Sequence, residues 1–216
     1  MDRYTPIYVN TSGKMCCIIG GGRVAERKIK GLLHADAHIK VISPDITAEL
    51  KQLHQDSRLE WIDRSYRKGD LRGAFLVYAA TNHVEVNTAV VQEAMKEGIL
   101  VNDASSSYNS SFITPSVVRR GRLSIAISTA GAGPAAAAEI RAVLEEQFGD
   151  EYETYIEFLH QMRGEVKARV SSSRQRSFLL RQLTEMNVLE DIRSGRFQWW
   201  TEEQIGEWIS RNQEEI

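Results

Sequence analysis

Gly20, Gly21 and Gly22 stand in a row between the apolar run MCCII and the helix-like stretch RVAERKIKGLL. Clustered glycine costs conformational entropy on folding, so a chain keeps it where backbone must turn tightly or approach another group closely. Gly20, Gly22 and Ala25 fit the spacing G-x-G-x-x-A. After a strand and at the start of a helix, the first glycine of this pattern permits the turn, the second lets backbone reach a pyrophosphate, and the alanine lets helix and strand pack closely. The phosphates then meet unpaired N–H groups at the positive end of the helix. The expected chemistry is binding of a nicotinamide dinucleotide, and hence hydride transfer.

A site of this kind usually has an acidic residue at the end of the second strand to hold the adenosine ribose. That position is Ser43, in VISPD, with Asp45 two residues on. Asp45, or Ser43 together with backbone, is expected to serve the ribose. No arginine stands there to favour a 2′-phosphate, and the choice between NAD and NADP stays open. Ala80-Thr81-Asn82 and Asn102-Asp103 end the fourth and fifth predicted strands and are expected at the same carboxyl edge, completing the crevice.

The elements that must position these residues follow from periodicity. PIYVN reads as a leading strand or half of a hairpin entering the strand KMCCIIG. Val24, Ala25, Ile29, Leu32 and Leu33 recur at helical spacing across Arg23 to Ala35. HIKVIS, RLEWID, FLVYAA and ILVN read as further strands, with ITAELKQLHQ and the stretch from His83 to Lys96 as helices. This alternation predicts an α/β fold with a parallel sheet of the Rossmann type, and MCCII, apolar on both faces, predicts that the first strand is central. After the polar loop ASSSYNSS, FITPSVVRRGRLSIAIST reads as two strands around Arg120-Gly121. A helix then starts at Pro134, and the charge-rich remainder is helical, with Trp199, Trp200 and Trp208 as packing residues. The expected domains are 1–113 for the dinucleotide, a small α+β region at 114–149 and a helical domain at 150–216.

Composition excludes several function classes. The 216 residues carry a net charge of −2, which gives no basic field for nucleic acid. No apolar stretch approaches the ~20 residues that span a bilayer, and MDRYTPIYVN has no secretory pattern, so the chain reads as soluble and cytoplasmic. Cys16 and Cys17 are adjacent and read as core residues. None of the five histidines pairs at a metal-ligand spacing with a cysteine or an acid cluster, and no metal site is expected.

The stretches PIYVN, IIGGGRVAERK, VISP, VYAATN, VNTAV, ILVN, FITPSVVRRGRLSIAISTAG and EIRAVLE run in order over roughly residues 5 to 148. Together they resemble the precorrin-2 dehydrogenase family, the NAD-dependent part of siroheme synthase. The resemblance implies a homodimer with a dinucleotide-binding domain, a dimerisation region at 114–149 and a helical domain. It implies oxidation of the tetrapyrrole precorrin-2 to sirohydrochlorin with hydride passing to NAD⁺, on the way to siroheme or cobalamin; some members also insert iron or cobalt. Gly20, Gly21, Gly22, Arg23 and Val24 would hold the cofactor, with Ser43, Pro44 and Asp45 near its adenosine end.

One departure bears on the chemistry. The family typically has an aspartate three residues after the asparagine of the VN pair, and counting from Asn102 that position is Ser105. Asp103 comes two residues earlier, and the usual proline of the loop is absent. Asp103 and Ser105 are therefore both candidates for the proton that leaves with the hydride, and chelation stays open. Precorrin-2 carries eight carboxylates, so Arg119, Arg120 and Arg122 are candidates to meet them, because guanidinium forks suit carboxylates. Ser124, Ser128 and Thr129 on the next strand could face the same pocket. Gly131 and Gly133, before Pro134, form a second small-residue turn at a helix start. The rival readings are a non-catalytic dinucleotide sensor and a dehydrogenase for another substrate. Tyr66 and Tyr78 have no lysine four residues on, which argues against the short-chain alcohol class.

Overall fold

The computed structural model describes residues 4–130 and 133–213. The chain divides into two compact units, Met1–Thr114 and Pro115–Ile216. In the first, β1 (Met15–Ile19), β2 (His38–Ile42), β3 (Glu60–Ile62), β4 (Leu76–Ala79) and β5 (Leu100–Asp103) form one parallel sheet in the order β3-β2-β1-β4-β5. Helices α1 (Arg23–Leu33), α2 (Ala48–Gln55) and α3 (Val84–Lys96) cover it. Strand order reverses at β1, where β2 departs to one side and β4 to the other. Open α/β sheets bind ligands at that point, outside the carboxyl ends of the strands.

The central place of β1 explains its unbroken apolar run. Cys16 and Ile18 enter the layer with Ala25, Ile29 and Leu32 of α1, while Cys17 packs with Val90, Val91 and Ala94 of α3. Burial pushes the Cys16 thiol up to about 11 and the Cys17 thiol up to about 12, so both act as core side chains. PIYVN does not form the expected leading strand. Residues 6–10 have no regular structure, and Ile7 and Tyr8 are 73% and 72% exposed. Period-two apolarity alone does not supply the neighbouring strand a ladder needs.

Residues 63–75, between β3 and β4, contain no helix, and side chains brace the link instead. Arg64 grips Asp70 through two 2.8 Å bonds. Glu93 of α3 accepts from the Tyr66 hydroxyl at 2.6 Å, the Gly69 amide at 2.9 Å and the Leu71 amide at 3.3 Å. Burial by itself would raise the Glu93 carboxyl, but these three donors together hold it below its ordinary value. Arg64 does the same for Asp70 against a smaller opposing effect of burial. Both groups therefore stabilise the fold above the unfolded carboxylate range near pH ~4, and that stability is lost as pH falls through their lower folded values. Glu93→Ala leaves three donors without their acceptor and is expected to cost about 2 kcal/mol at pH 7. The difference from wild type should shrink on acidification, and urea titrations at pH 7 and pH 3 measure it.

In the second unit, β6 (Ser116–Arg120) and β7 (Leu123–Ile127) form an antiparallel hairpin, followed by α4 (Pro134–Gln147). Helices α5 (Glu151–Arg169), α6 (Ser173–Glu185), α7 (Val188–Arg193) and α8 (Glu202–Gln213) complete it. Their core holds Phe158, Met162, Leu179, Leu183 and Ile205. Trp199 and Trp200 lie in the link before α8, and the Trp200 ring sits 5.3 Å from that of Phe158, a packing role as expected. The architecture is the expected Rossmann-type α/β sheet, then a small α+β segment and a helical tail. Among the described residues no helix is long and apolar enough to cross a membrane.

Candidate functional site

The three glycines answer to different demands. Gly20 has φ +114°, and a Cβ there would run into the carbonyl of Ala80. At Gly21 a Cβ would run into the Asp45 carbonyl and Ile46. Gly22, at φ −83° and ψ −174°, has a backbone that any residue adopts, and a Cβ there meets nothing within 4 Å. Protein packing thus explains the first two glycines, whereas the third borders open space at the start of α1. No side chain caps that helix. Its first-turn N–H groups remain for an anion, with exposed Arg23 and Val24 beside them and Ala25 fully buried against the sheet. A pyrophosphate fits this cradle.

The loop after β2 is tied to the glycine turn by the Thr47 amide, which donates to the Gly21 carbonyl at 3.0 Å. Ser43 is buried, its hydroxyl donates to the Asp45 carbonyl at 2.6 Å, and its own carbonyl accepts from the Trp61 indole at 2.9 Å. Its side chain is spent on closing the loop. Pro44 and Asp45 are exposed beside the turn.

At the ends of β4 and β5 the structure brings together residues that the sequence left apart. Asp103 is 6% exposed, and its Oδ1 accepts from the Ser105 amide at 2.8 Å and the Ser105 hydroxyl at 2.6 Å. The two candidates for the proton are one hydrogen-bonded pair. Asn102 donates to the Phe112 carbonyl at 3.0 Å and so fastens the return of the loop. Ala80 and Thr81 are half-buried and Asn82 is exposed at the mouth. Asn87 was not anticipated. It bonds Thr81 on one side and Ser105 on the other, although its spacing with Val90, Val91 and Ala94, a polar residue on an apolar stripe, is a legible signal. Lys28 was missed too. Its ammonium lies 5.1 Å from the centre of the Tyr78 ring, and burial, with a smaller effect of Arg27, lowers it to about 8.

In the second unit the three arginines have separate tasks. Arg120 donates to the Glu145 carbonyl in the last turn of α4 at 3.1 Å and pairs with Asp150 at 3.2 Å. Both contacts hold its guanidinium at the C-terminal end of α4. Arg122 pairs with Glu157 at 2.6 Å. Arg119 is exposed. The Ser128 hydroxyl accepts from the Ala130 amide at 3.3 Å, and the Thr129 hydroxyl donates to the Gly133 carbonyl at 3.3 Å. Ser124 is half-buried on β7, and Gly131 lies outside the described residues.

The reversed strand order, the open third glycine and the uncapped helix define a dinucleotide-binding domain. Residues 7–116 match the family described as "Putative NAD(P)-binding", and residues 120–147 match "Sirohaem biosynthesis protein central". The chain belongs to this NAD(P)-binding family, and the resemblance to precorrin-2 dehydrogenases is borne out. It is 39% identical over 173 residues to a siroheme synthase of Photorhabdus laumondii, covering 80% of this chain and 37% of that protein. With a siroheme synthase of Stutzerimonas stutzeri it shares 35% identity over 193 residues, 89% of this chain and 42% of that one. The chain thus spans about two fifths of the length of these relatives. Among solved structures it is similar to SirC, precorrin-2 dehydrogenase, with TM-score 0.78 and 26% identity over 98% of this chain and 100% of that one.

Proposed function

We propose that this chain is an NAD-dependent precorrin-2 dehydrogenase that forms sirohydrochlorin in siroheme biosynthesis. The observation that carries the reading is the likeness to a precorrin-2 dehydrogenase from end to end of both chains, helical tail included. A sensor would need the glycine turn without the β6–β7 hairpin and the tail.

Bound at the turn, NAD⁺ supplies the hydride acceptor. Gly20, Gly21, Gly22, Arg23 and Val24 seat the pyrophosphate, and Asp45, next to Pro44, holds the adenosine ribose, which favours NAD over NADP. Ala80, Thr81 and Asn82 border the nicotinamide half, with Asn102 holding the adjoining loop. Asp103 with Ser105 takes the proton, and Arg119 with Ser124, Ser128 and Thr129 is offered to the anionic tetrapyrrole. Residues 114–149 form the interface of a homodimer, supported by the exposed Ile140 and Val143 of α4, and residues 150–216 form the helical domain. With a serine where the family carries its aspartate, chelation is inefficient.

Anaerobic mixing with precorrin-2 and NAD⁺ tests the reading. NADH and sirohydrochlorin should grow in equal amounts, NADP⁺ should be the poorer acceptor, and added Co²⁺ should be consumed no faster than without protein. Dinucleotide binding without either product would favour the sensor.

A further inference from the structure

We propose that Asn87 is a positioning residue that locks the cofactor loop after β4 to the Asp103–Ser105 pair, and that it aims Ser105 as the entry to a proton relay ending on Asp103. This rests on the dehydrogenase reading above. Asn87 is 1% exposed, and a buried carboxamide must find partners for both its ends. The Thr81 amide can only donate, so the Asn87 atom 3.1 Å from it is the oxygen, which settles the orientation of the side chain. That oxygen also lies 2.7 Å from the Thr81 hydroxyl. The amide nitrogen then has two protons to give, one to the Thr81 carbonyl at 3.1 Å and one to Ser105 Oγ at 3.4 Å.

The second of these bonds sets a direction. With a donor on its oxygen, the Ser105 hydroxyl turns its own proton to Asp103 Oδ1, 2.6 Å away. The bonds run one way, from Asn87 to Ser105 to Asp103. The site lies on the β4–β5 side of the strand reversal, opposite the glycine turn and the Asp45 loop of the β1–β2 side, where the second half of a dinucleotide is held.

The relay balances the reaction. Oxidation of the substrate breaks one C–H bond, whose electron pair leaves with hydrogen as hydride to NAD⁺. A second hydrogen leaves as a proton, and its bonding pair becomes part of the new double bond. That proton passes to Ser105 Oγ as the serine proton passes to Asp103, so the hydroxyl is restored and Asp103 later releases the proton to water. Asn87 takes no part in the transfer; it fixes the serine and, through Thr81, the loop beside the nicotinamide.

The test uses the full chain as wild type, Ser105→Ala, Asn87→Asp and the double variant. NAD⁺ affinity is read by calorimetry without substrate, kcat by anaerobic turnover and Tm by melting. Asn87→Asp keeps the oxygen that accepts from Thr81 and removes both donors. Ser105→Ala should lower kcat by ~10²-fold and leave the Kd for NAD⁺ unchanged. Asn87→Asp should lower kcat to a similar extent and also weaken NAD⁺ several-fold, and the double variant should turn over no more slowly than Asn87→Asp alone. Multiplicative losses in kcat would overturn the proposal, as would an Asn87→Asp protein that loses Tm but keeps kcat and Kd. If Asn87→Asp does not fold, Ser105→Ala decides, since it alters an exposed residue; wild-type turnover there overturns the relay. Absence of turnover in the wild type would instead overturn the dehydrogenase reading, and the substrate-free Kd would still judge the link from Asn87 to Thr81.

Discussion

Gly22→Ala is expected to leave the fold intact and to weaken dinucleotide binding, while Gly20→Ala is expected to damage the fold itself. At Gly22 the backbone already suits an L-residue and the space beside it is empty of protein, so the melting temperature should stay within about 2 °C of wild type. The added methyl occupies the room through which a pyrophosphate reaches the first-turn amides, and the Kd for NAD⁺ should rise at least ~10-fold. At Gly20 two costs add. A φ of +114° strains any residue with a Cβ by ~1–3 kcal/mol, and overlap with the Ala80 carbonyl forces a backbone shift of similar cost. The fold should lose about 4 kcal/mol in all. Paired melting and calorimetry separate the two variants, and a Gly22→Ala protein that binds NAD⁺ as wild type does would remove the third glycine from the site.

The largest expected effect on catalysis comes from Asp103→Asn. The substitution keeps the shape of the side chain and an oxygen that accepts from the Ser105 amide, so the loop and the Kd for NAD⁺ should be preserved. It removes the negative charge and the capacity to take a proton. A positioned base contributes about 10²–10⁴-fold, and kcat for precorrin-2 oxidation should fall within that range. The readout is NADH formation under saturating NAD⁺. Turnover equal to wild type would assign the proton directly to solvent and leave Asp103 as a turn residue.

The sequence by itself determined the elements and the glycine turn, because both rest on local rules. Helical spacing within α1, the apolar run of β1 and the G-x-G-x-x-A pattern concern residues a few positions apart, and they dictate a parallel sheet with an anion cradle after its central strand. Local rules overreached at PIYVN, where β-like composition found no partner strand. Tertiary structure alone decided which polar side chains remain available for chemistry. Ser43 and Asp45 are equal candidates until the course of the loop spends the Ser43 hydroxyl on the Asp45 carbonyl. Asp103 and Ser105 compete as alternatives in sequence yet share one hydrogen bond in space. Arg120 finds its acceptor 25 residues away at the end of a helix, and Asn87 meets Ser105 across 18 residues. A hydrogen bond depends on distance and angle between groups, and for partners on different elements only the path of the folded backbone sets those values.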